Sequence, residues 1–543
     1  LLDTVNAQGN VTAEAHGDAV VDTVTAQGDI GIHSLAGSVH LQTVNSRAGS
    51  VSLTSHRNAT VGTIDAHGDV SVNSLTGNVL LDTVNAQGNV TAEAHGDIVL
   101  GTVDAQEGDV SLAALTGDVL LGRVHVQQGT AQLSAGGSIR GQSTETSITA
   151  VNIDLQADSG GIGEPESALN IDSSDNGTVS AQAHLGIYLN EVDGDLNVLD
   201  IKSETGDLRI AADGSITGGH FIGEDITLAS VYGSIGESDA YLSTEARGKL
   251  NASAQDNIYL EQLGGDLISD QIVAEQGSIG IRVSDGQTQI TELAAADGIS
   301  VSGLESIWIG QATGTDLDMA VSGEDQSLEV EQAYVSRSLV AHADHVRLPS
   351  VDHTGTEPLA IAIGGGSREM ADTVSVNVAS EAGVIFSKLH AVNMAIQART
   401  DYLAFYDARV VNQATFKNNY YTVVADNVEK RLYENVDLQL FPGDQPFFLI
   451  LGKDRRILTD AHAVNYSDHF IINSFNTTNS FIRMTTKLVE IVGATPQLLH
   501  GQRPNRFRDI EELVINNEHD EHDEHDEHDE GDLWEFMQIG SAI

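Results

Sequence analysis

The chain has no cysteine among its 543 residues. Disulfides, thiol chemistry and cysteine-ligated zinc are therefore excluded. Basic residues are scarce: 26 Lys and Arg stand against 79 Asp and Glu, for a formal charge of −53. That balance argues against nucleic acid as a partner, because neutralising phosphates needs clustered Lys and Arg. It favours a soluble exterior that attracts divalent cations. No apolar run approaches the roughly 18 residues a membrane-spanning helix needs, so no transmembrane segment is expected. The nucleophile elbow G-x-S-x-G, the zinc motif H-E-x-x-H, the P-loop and the dinucleotide fingerprint are all missing, and the chain is not expected to be an enzyme.

What the chain has instead is repetition. Leu2–Asp18 (LDTVNAQGNVTAEAHGD) recurs letter for letter at Leu81–Asp97, 79 positions later. Between the copies runs a looser period of about 20 residues, with glycines at 9, 28, 49, 68, 88 and 108 marking successive units. In Gly68–Gln87, Val70 and Val72 alternate with Ser71 and Asn73, and Val79, Leu81 and Val84 continue the apolar set. Period-two alternation bounded by Gly, Asn and Asp is a strand signal. Each marker glycine is expected to permit a sharp turn. Like residues fall at like positions: Val5, Val24, Val44, Ile64, Val84 and Val103. In a parallel stack they lie above one another about 4.8 Å apart as aliphatic columns. The expected fold is all-β, a right-handed parallel β-helix (β-solenoid) of about 20 coils, on the order of 95 Å long at that spacing. No coil can bury its own inner face, so neighbouring coils must.

Four segments are expected. Residues 1–140 form the regular solenoid and 141–400 its less regular continuation. In the continuation, Gly161-Ile162-Gly163 and Ile187-Tyr188-Leu189 return as Ser234-Ile235-Gly236 and Ile258-Tyr259-Leu260. The first 400 residues hold 8 aromatics and the remainder 17, with a turn at Phe441–Pro446 leading into an apolar strand at Phe447–Leu451. Further strands are expected over Ile471–Phe481 and Ile482–Val492. Residues 401–515 thus read as a smaller mainly-β C-terminal domain. It would cap the solenoid, hold the chain at an export channel or join subunits. Residues 516–543 are an acidic tail.

The tail carries the chemistry-bearing candidates. In EHDEHDEHDEHDE (Glu518–Glu530), His519, His522, His525 and His528 are each flanked by carboxylates. Imidazole with carboxylate suits zinc, nickel or copper, and carboxylates alone suit calcium. The competing reading is a solvated, disordered spacer. Leu533, Trp534, Phe536, Met537 and Ile539 form an apolar end able to dock on its own domain or on a partner. Elsewhere, Gly-Asp pairs at 28–29, 68–69, 108–109 and 117–118 are expected to stack carboxylates at turns. Such ladders repel unless screened or bridged by Ca2+ or other divalent cations; no cofactor is required. Asp193–Glu204 mimics a calcium loop but has Val198 where the turn glycine belongs. His16, His95 and His184 read as exposed turn residues.

The order G-x-I-G, then Leu, then [IL]-Y-L and G-D-L resembles the repeat regions of the filamentous-haemagglutinin-like large exoproteins of bacteria. The stretches PLAIAIGGG, MADTVSVNV and LAFYDARVVNQATF within Glu357–Asn427 are similar to the late region of such proteins. The resemblance implies an exported adhesin, secreted or at the cell surface, that leaves through an outer-membrane secretion partner. It would attach to a host or environmental surface, a glycan or a biofilm matrix. The chain starts in mid-coil without a signal peptide, and is expected to be the carboxy-terminal portion of a longer polypeptide. Two alternatives remain: a filament or sheath subunit that self-associates head to tail, and, less favoured, a carbohydrate-active β-helix enzyme.

Overall fold

The structure is a computed structural model. It describes residues 2–400, except 143, 144, 146 and 175, and beyond them the backbone of strands within 403–472. The chain divides into two units, Leu1–Ala379 and Ser380–Ile543. The described residues contain strands and turns but no helix, and they form a parallel β-solenoid of about 20 turns. No helix among them is long and apolar enough to cross a membrane.

A coil of the regular region has two arms. In the long arm, Val39–Ser46, the first, third, sixth and eighth side chains are buried. Strict alternation would give the third and fifth, so the two adjacent outward residues, Gln42 and Thr43, mark a corner where the pleat breaks. The short arm, Val51–Ser55, buries its first, third and fifth side chains. Turns of three or four residues join the arms, as at 47–50 and 56–58. Each long arm pairs in parallel with the next long arm, and each short arm with the next short arm.

The register makes the aliphatic columns continuous. Val5, Val24, Val44, Ile64, Val84, Val103 and Val124 are successive partners, as the sequence period predicts. Val24 to Val124 are all 0–1 % exposed. Burying one such side chain is worth roughly 1.5–3 kcal/mol, and only stacked neighbours supply the burial. Where a column ends an arm in serine, the hydroxyl staples the turn. Ser34 donates to the Gly17 carbonyl of the coil before (2.7 Å) and accepts the Gly37 N–H (3.0 Å). Ser203 and Ser230 repeat the arrangement with Leu185 and Gly206, and with Gly214 and Gly233.

The marker glycines work differently from expectation. Gly28, Gly49, Gly68, Gly88 and Gly108 are not in the left-handed region. Their need for a bare Cα comes from the adjacent coil. A Cβ at these five would lie 2.1–2.6 Å from Asn10, Asp29, Ser50, Asp69 and Asn89 in turn. Left-handed glycine belongs to the later module: Gly163 (φ 67°) and Gly236 (φ 69°) take matching places. Each follows an isoleucine, Ile162 or Ile235, that bridges the coils on either side.

In the second unit, Val384–Thr400 pairs in parallel with Leu403–Phe405 and Ala408–Asn418. Parallel pairing continues to Val436–Leu440 and Phe447–Leu451. Two antiparallel pairs follow, Phe447–Leu451 with Arg456–Asp460 and Val436–Leu440 with Phe470–Ile472. The expected strand at Phe447–Leu451 is present. Most of the two strands expected after Ile471 lies outside the described residues.

Gly163→Ala should lower stability by at least about 1–2 kcal/mol, the cost of a left-handed residue with a Cβ. Its new methyl would also meet the Tyr188 carbonyl oxygen at 2.3 Å. Gly9→Ala, with nothing within 4 Å, should be near neutral. Urea midpoints of the two variants check this.

Candidate functional site

The outer surface of the solenoid carries the polar chemistry, and the turns organise it into ladders. On the edge after the long arm, each rung residue receives a backbone N–H from the next coil. Asp29 N–H donates to Asn10 Oδ1 (3.0 Å), Ser50 N–H to Asp29 Oδ1 (2.9 Å) and Asp69 N–H to Ser50 Oγ (3.0 Å). Asn89, Asp109 and Thr130 continue the ladder upon Asp69, Asn89 and Asp109 at 2.7–2.8 Å. The expected stack of like carboxylates is therefore corrected. Asp29, Asp69 and Asp109 share a ladder, but neutral Ser50 and Asn89 separate them. Asp118 belongs to the other edge, where its N–H donates to Asp97 Oδ1 (3.0 Å). That adjacent pair of acids is followed by Arg140, whose guanidinium lies 3.4 Å from Asp118 and 3.1 Å from Glu164. The calcium-like segment follows the same grammar: Asp195 Oδ1 accepts the Ser215 N–H (2.7 Å).

The edge after the short arm holds a second column. The backbone bonds Leu35 N–H to Ala15, His56 to Ser34, Leu75 to Ser55, His95 to Ser74 and Leu115 to Ala94 place one turn directly above another. With His16, which follows Ala15, the column reads His, Leu, His, Leu, His, Leu. The leucines are 44 %, 52 % and 55 % exposed, and His16 and His95 are exposed. Histidines two coils apart are about 9.6 Å apart at that strand spacing, too far to share one metal ion. His16 and His95 are turn residues, as expected. His184 is one too, and its Nδ1 lies 2.8 Å from Glu204. That contact holds the Glu204 carboxyl below its ordinary value. The expectation missed that His16, His56 and His95 align. The signal was available, since turns alternate between three residues (His56-Arg57-Asn58) and four (Leu75-Thr76-Gly77-Asn78).

Inside the later module lies one ionisable group on an inward position. Glu191 is 1 % exposed and accepts both the Ser173 N–H and the Ser173 hydroxyl at 2.8 Å. Burial pushes its carboxyl up to about 7; the Ser173 bonds oppose this, while Asp172 and Asp193 add to it. The equivalent position in the second copy is Gln262, which accepts from Thr244 Oγ1 (2.9 Å) and donates to the Ala246 and Gly264 carbonyls (2.9 Å each). One module thus carries an acid where the other carries its neutral isostere.

A candidate cation site lies at Asp325, His345 and Asp372, whose donor atoms fall within 4.8 Å of one another. His345 Nε2 already meets Asp325 Oδ1 (3.0 Å), its Nδ1 meets Thr373 Oγ1 (2.9 Å), and Arg368 is 3.7 Å from Asp372. Beneath it, buried Asp344 accepts the Asp325 N–H and the Ser367 hydroxyl, both at 2.9 Å. Burial acts to raise the Asp344 carboxyl, and these bonds, with Arg368 and the Gly366 N–H, outweigh it and leave it lowered. The cluster is internally partnered, so its geometry permits a divalent cation without calling for one. A separate aromatic group sets Arg282 over the Tyr241 ring (3.7 Å to the centroid) and Tyr241 against Tyr259 (5.5 Å).

The expected metal ligands His519, His522, His525 and His528 and the apolar end Leu533, Trp534, Phe536, Met537 and Ile539 lie outside the described residues. No protein-family model matches the chain, and no curated protein and no solved structure matches it either. The exoprotein resemblance therefore rests on the motifs alone.

Glu191→Gln should stabilise the module above neutral pH. The folded carboxyl titrates above its unfolded value of about 4.5. Its favourable contribution is therefore complete below that value and is lost as pH rises through about 7. At about pH 8 the variant should gain up to about 3 kcal/mol, and near pH 5 far less. Hydrogen exchange of Leu169–Ser173 and Ile187–Glu191 at both pH values reads this locally. An equal gain at both would show that the Glu191 carboxyl is not raised in the folded state.

Proposed function

We propose that the protein is an exported structural adhesin: a β-helical solenoid, at the bacterial surface or in the extracellular matrix, that holds a binding surface away from the cell. The observation that carries this reading is the in-register parallel stack with turns of three or four residues through the regular region. Such a stack produces length and a repeated exterior. A carbohydrate-active β-helix builds its groove from long loops, and the regular coils carry none. The charge of −53 suits a chain that must stay soluble outside a cell. Absence of cysteine suits a fold whose continuous core needs no disulfide. The motif order adds a secretion partner in the outer membrane, and host surfaces, environmental surfaces or matrix glycans as ligands.

Beads coated with the purified chain should be retained on cells or matrix polysaccharide, above beads coated with an unrelated acidic protein of similar charge. Retention equal to that control on every surface would remove the adhesin reading. Turnover of a glycan by the chain would replace it with the enzyme reading.

A further inference from the structure

We infer that the outward face around Trp308 binds an extended, uncharged polysaccharide chain laid along the solenoid axis. Trp308 is the one tryptophan among the described residues, and it is not in the core. On its strand Ile307, Ile309 and Ala312 are buried, while Trp308, Gly310 and Gln311 are partly exposed. The two successive outward positions, Gly310 and Gln311, mark a corner. The indole lies along the strand towards that corner, since a Cβ at Gly310 would come within 3.2 Å of its far ring carbon, Cη2. The bare Gly310 thus seats the ring. The parallel register places Ile268, Gln289, Trp308 and Glu329 in one column along the axis. Beyond the corner, Glu292, Gln311 and Gln332 form the neighbouring column.

The chemistry of this face fits a sugar chain. An aromatic face carries the negative lobe of the ring quadrupole, and it attracts the slightly positive C–H face of a pyranose. Two other outward rings already hold a cation: Arg209 lies over Tyr188 (5.9 Å) and Arg282 over Tyr241 (3.7 Å). Among the described residues none lies over Trp308. The Trp308 indole N–H and the side-chain amides of Gln289, Gln311 and Gln332 also have no hydrogen-bond partner among the described residues. Each amide both donates and accepts, as a sugar hydroxyl does. Ile268, 36 % exposed, stands two coils before Trp308, about 9.6 Å away, and offers a second apolar station. Alternate sugars of an extended β-1,4-linked chain present the same face. One can rest on Ile268 and the next but one on Trp308, with Gln289 level with the sugar between them. The local charge selects against acidic glycans. Arg347 is engaged by Glu329 and Glu331, and Lys249, one coil before Ile268, by Asp270, while Glu292 accepts from Gln271 and has no base beside it. The inference rests on the adhesin reading and deepens it by naming a ligand class.

The test is isothermal titration calorimetry of the full chain with cellohexaose and chitohexaose, both uncharged and β-1,4-linked. Tryptophan emission gives a second readout, and Trp534→Phe leaves Trp308 as the only emitter. At least one hexaose should bind saturably and shift that emission. Trp308→Ala should weaken binding roughly tenfold or more. Trp308→Phe keeps a ring without the N–H and should recover part of the loss. Q289A/Q311A/Q332A should weaken binding with the ring intact, and circular dichroism verifies the fold of each variant. Maltohexaose, which coils, and acidic oligogalacturonate should bind more weakly. No binding of either hexaose, equal binding by wild type and Trp308→Ala, or a preference for oligogalacturonate would each overturn the proposal. Coated beads that are retained on matrix although neither hexaose binds would remove this site and leave the adhesin reading standing. Hexaose binding through Trp308 with bead retention at the control level would support the site and remove the adhesin reading.

Discussion

Everything in the solenoid follows from the vertical register of its parallel strands. Each backbone N–H that closes a coil reaches a carbonyl or a rung side chain of the neighbouring coil, and this fixes the separation at about 4.8 Å. Every residue then meets its own counterpart above and below. For Val24, Val44 and Ile64 this is favourable, because an aliphatic column excludes water along its length. For the marker glycines it is a prohibition, because the rung of the previous coil occupies the space a Cβ would need. One spacing therefore dictates both the apolar columns and the bare turns.

The same spacing makes charge expensive. Two carboxylates 4.8 Å apart repel by about 1 kcal/mol in water and by several at the effective dielectric of a protein surface. Doubling the distance halves that energy and takes the pair beyond the Debye length of about 8 Å at physiological salt. Asp29, Asp69 and Asp109, separated by neutral rungs, follow this rule. Where two acids do occupy successive rungs, a base follows: Arg140 beside Asp118, and Lys249 on the rung above Asp207 and Asp225. Inside the core the penalty is desolvation, and there Glu191 is matched in the second module by Gln262.

Much of this was legible in the sequence, because a stacked fold writes its contacts as a period. Val5 to Val103 could be aligned by eye, and the structure pairs them in that order. The role of the marker glycines was not legible. Their constraint comes from a residue about 20 positions earlier, and a turn-forming glycine looks the same in one dimension. The pairing of Glu191 with Ser173 was hidden for a related reason, since inserted loops change the coil length there and disturb the period. The His/Leu column was present in plain letters, but its period is two coils, twice the period that the strand pattern suggests.

That doubling has a physical logic. A single-coil period would place like groups at every 4.8 Å, so a histidine edge or an aspartate edge would repel itself as soon as it was charged. Alternation with leucine on one edge and with Ser50 and Asn89 on the other keeps each edge stable alone. The exact recurrence of Leu2–Asp18 at Leu81–Asp97 spans four coils, two of these doubled units. Duplication in whole doubled units preserves the phase of both edges from His16 to Leu115. Duplication of a single coil would place two histidine turns or two leucine turns in succession and break it.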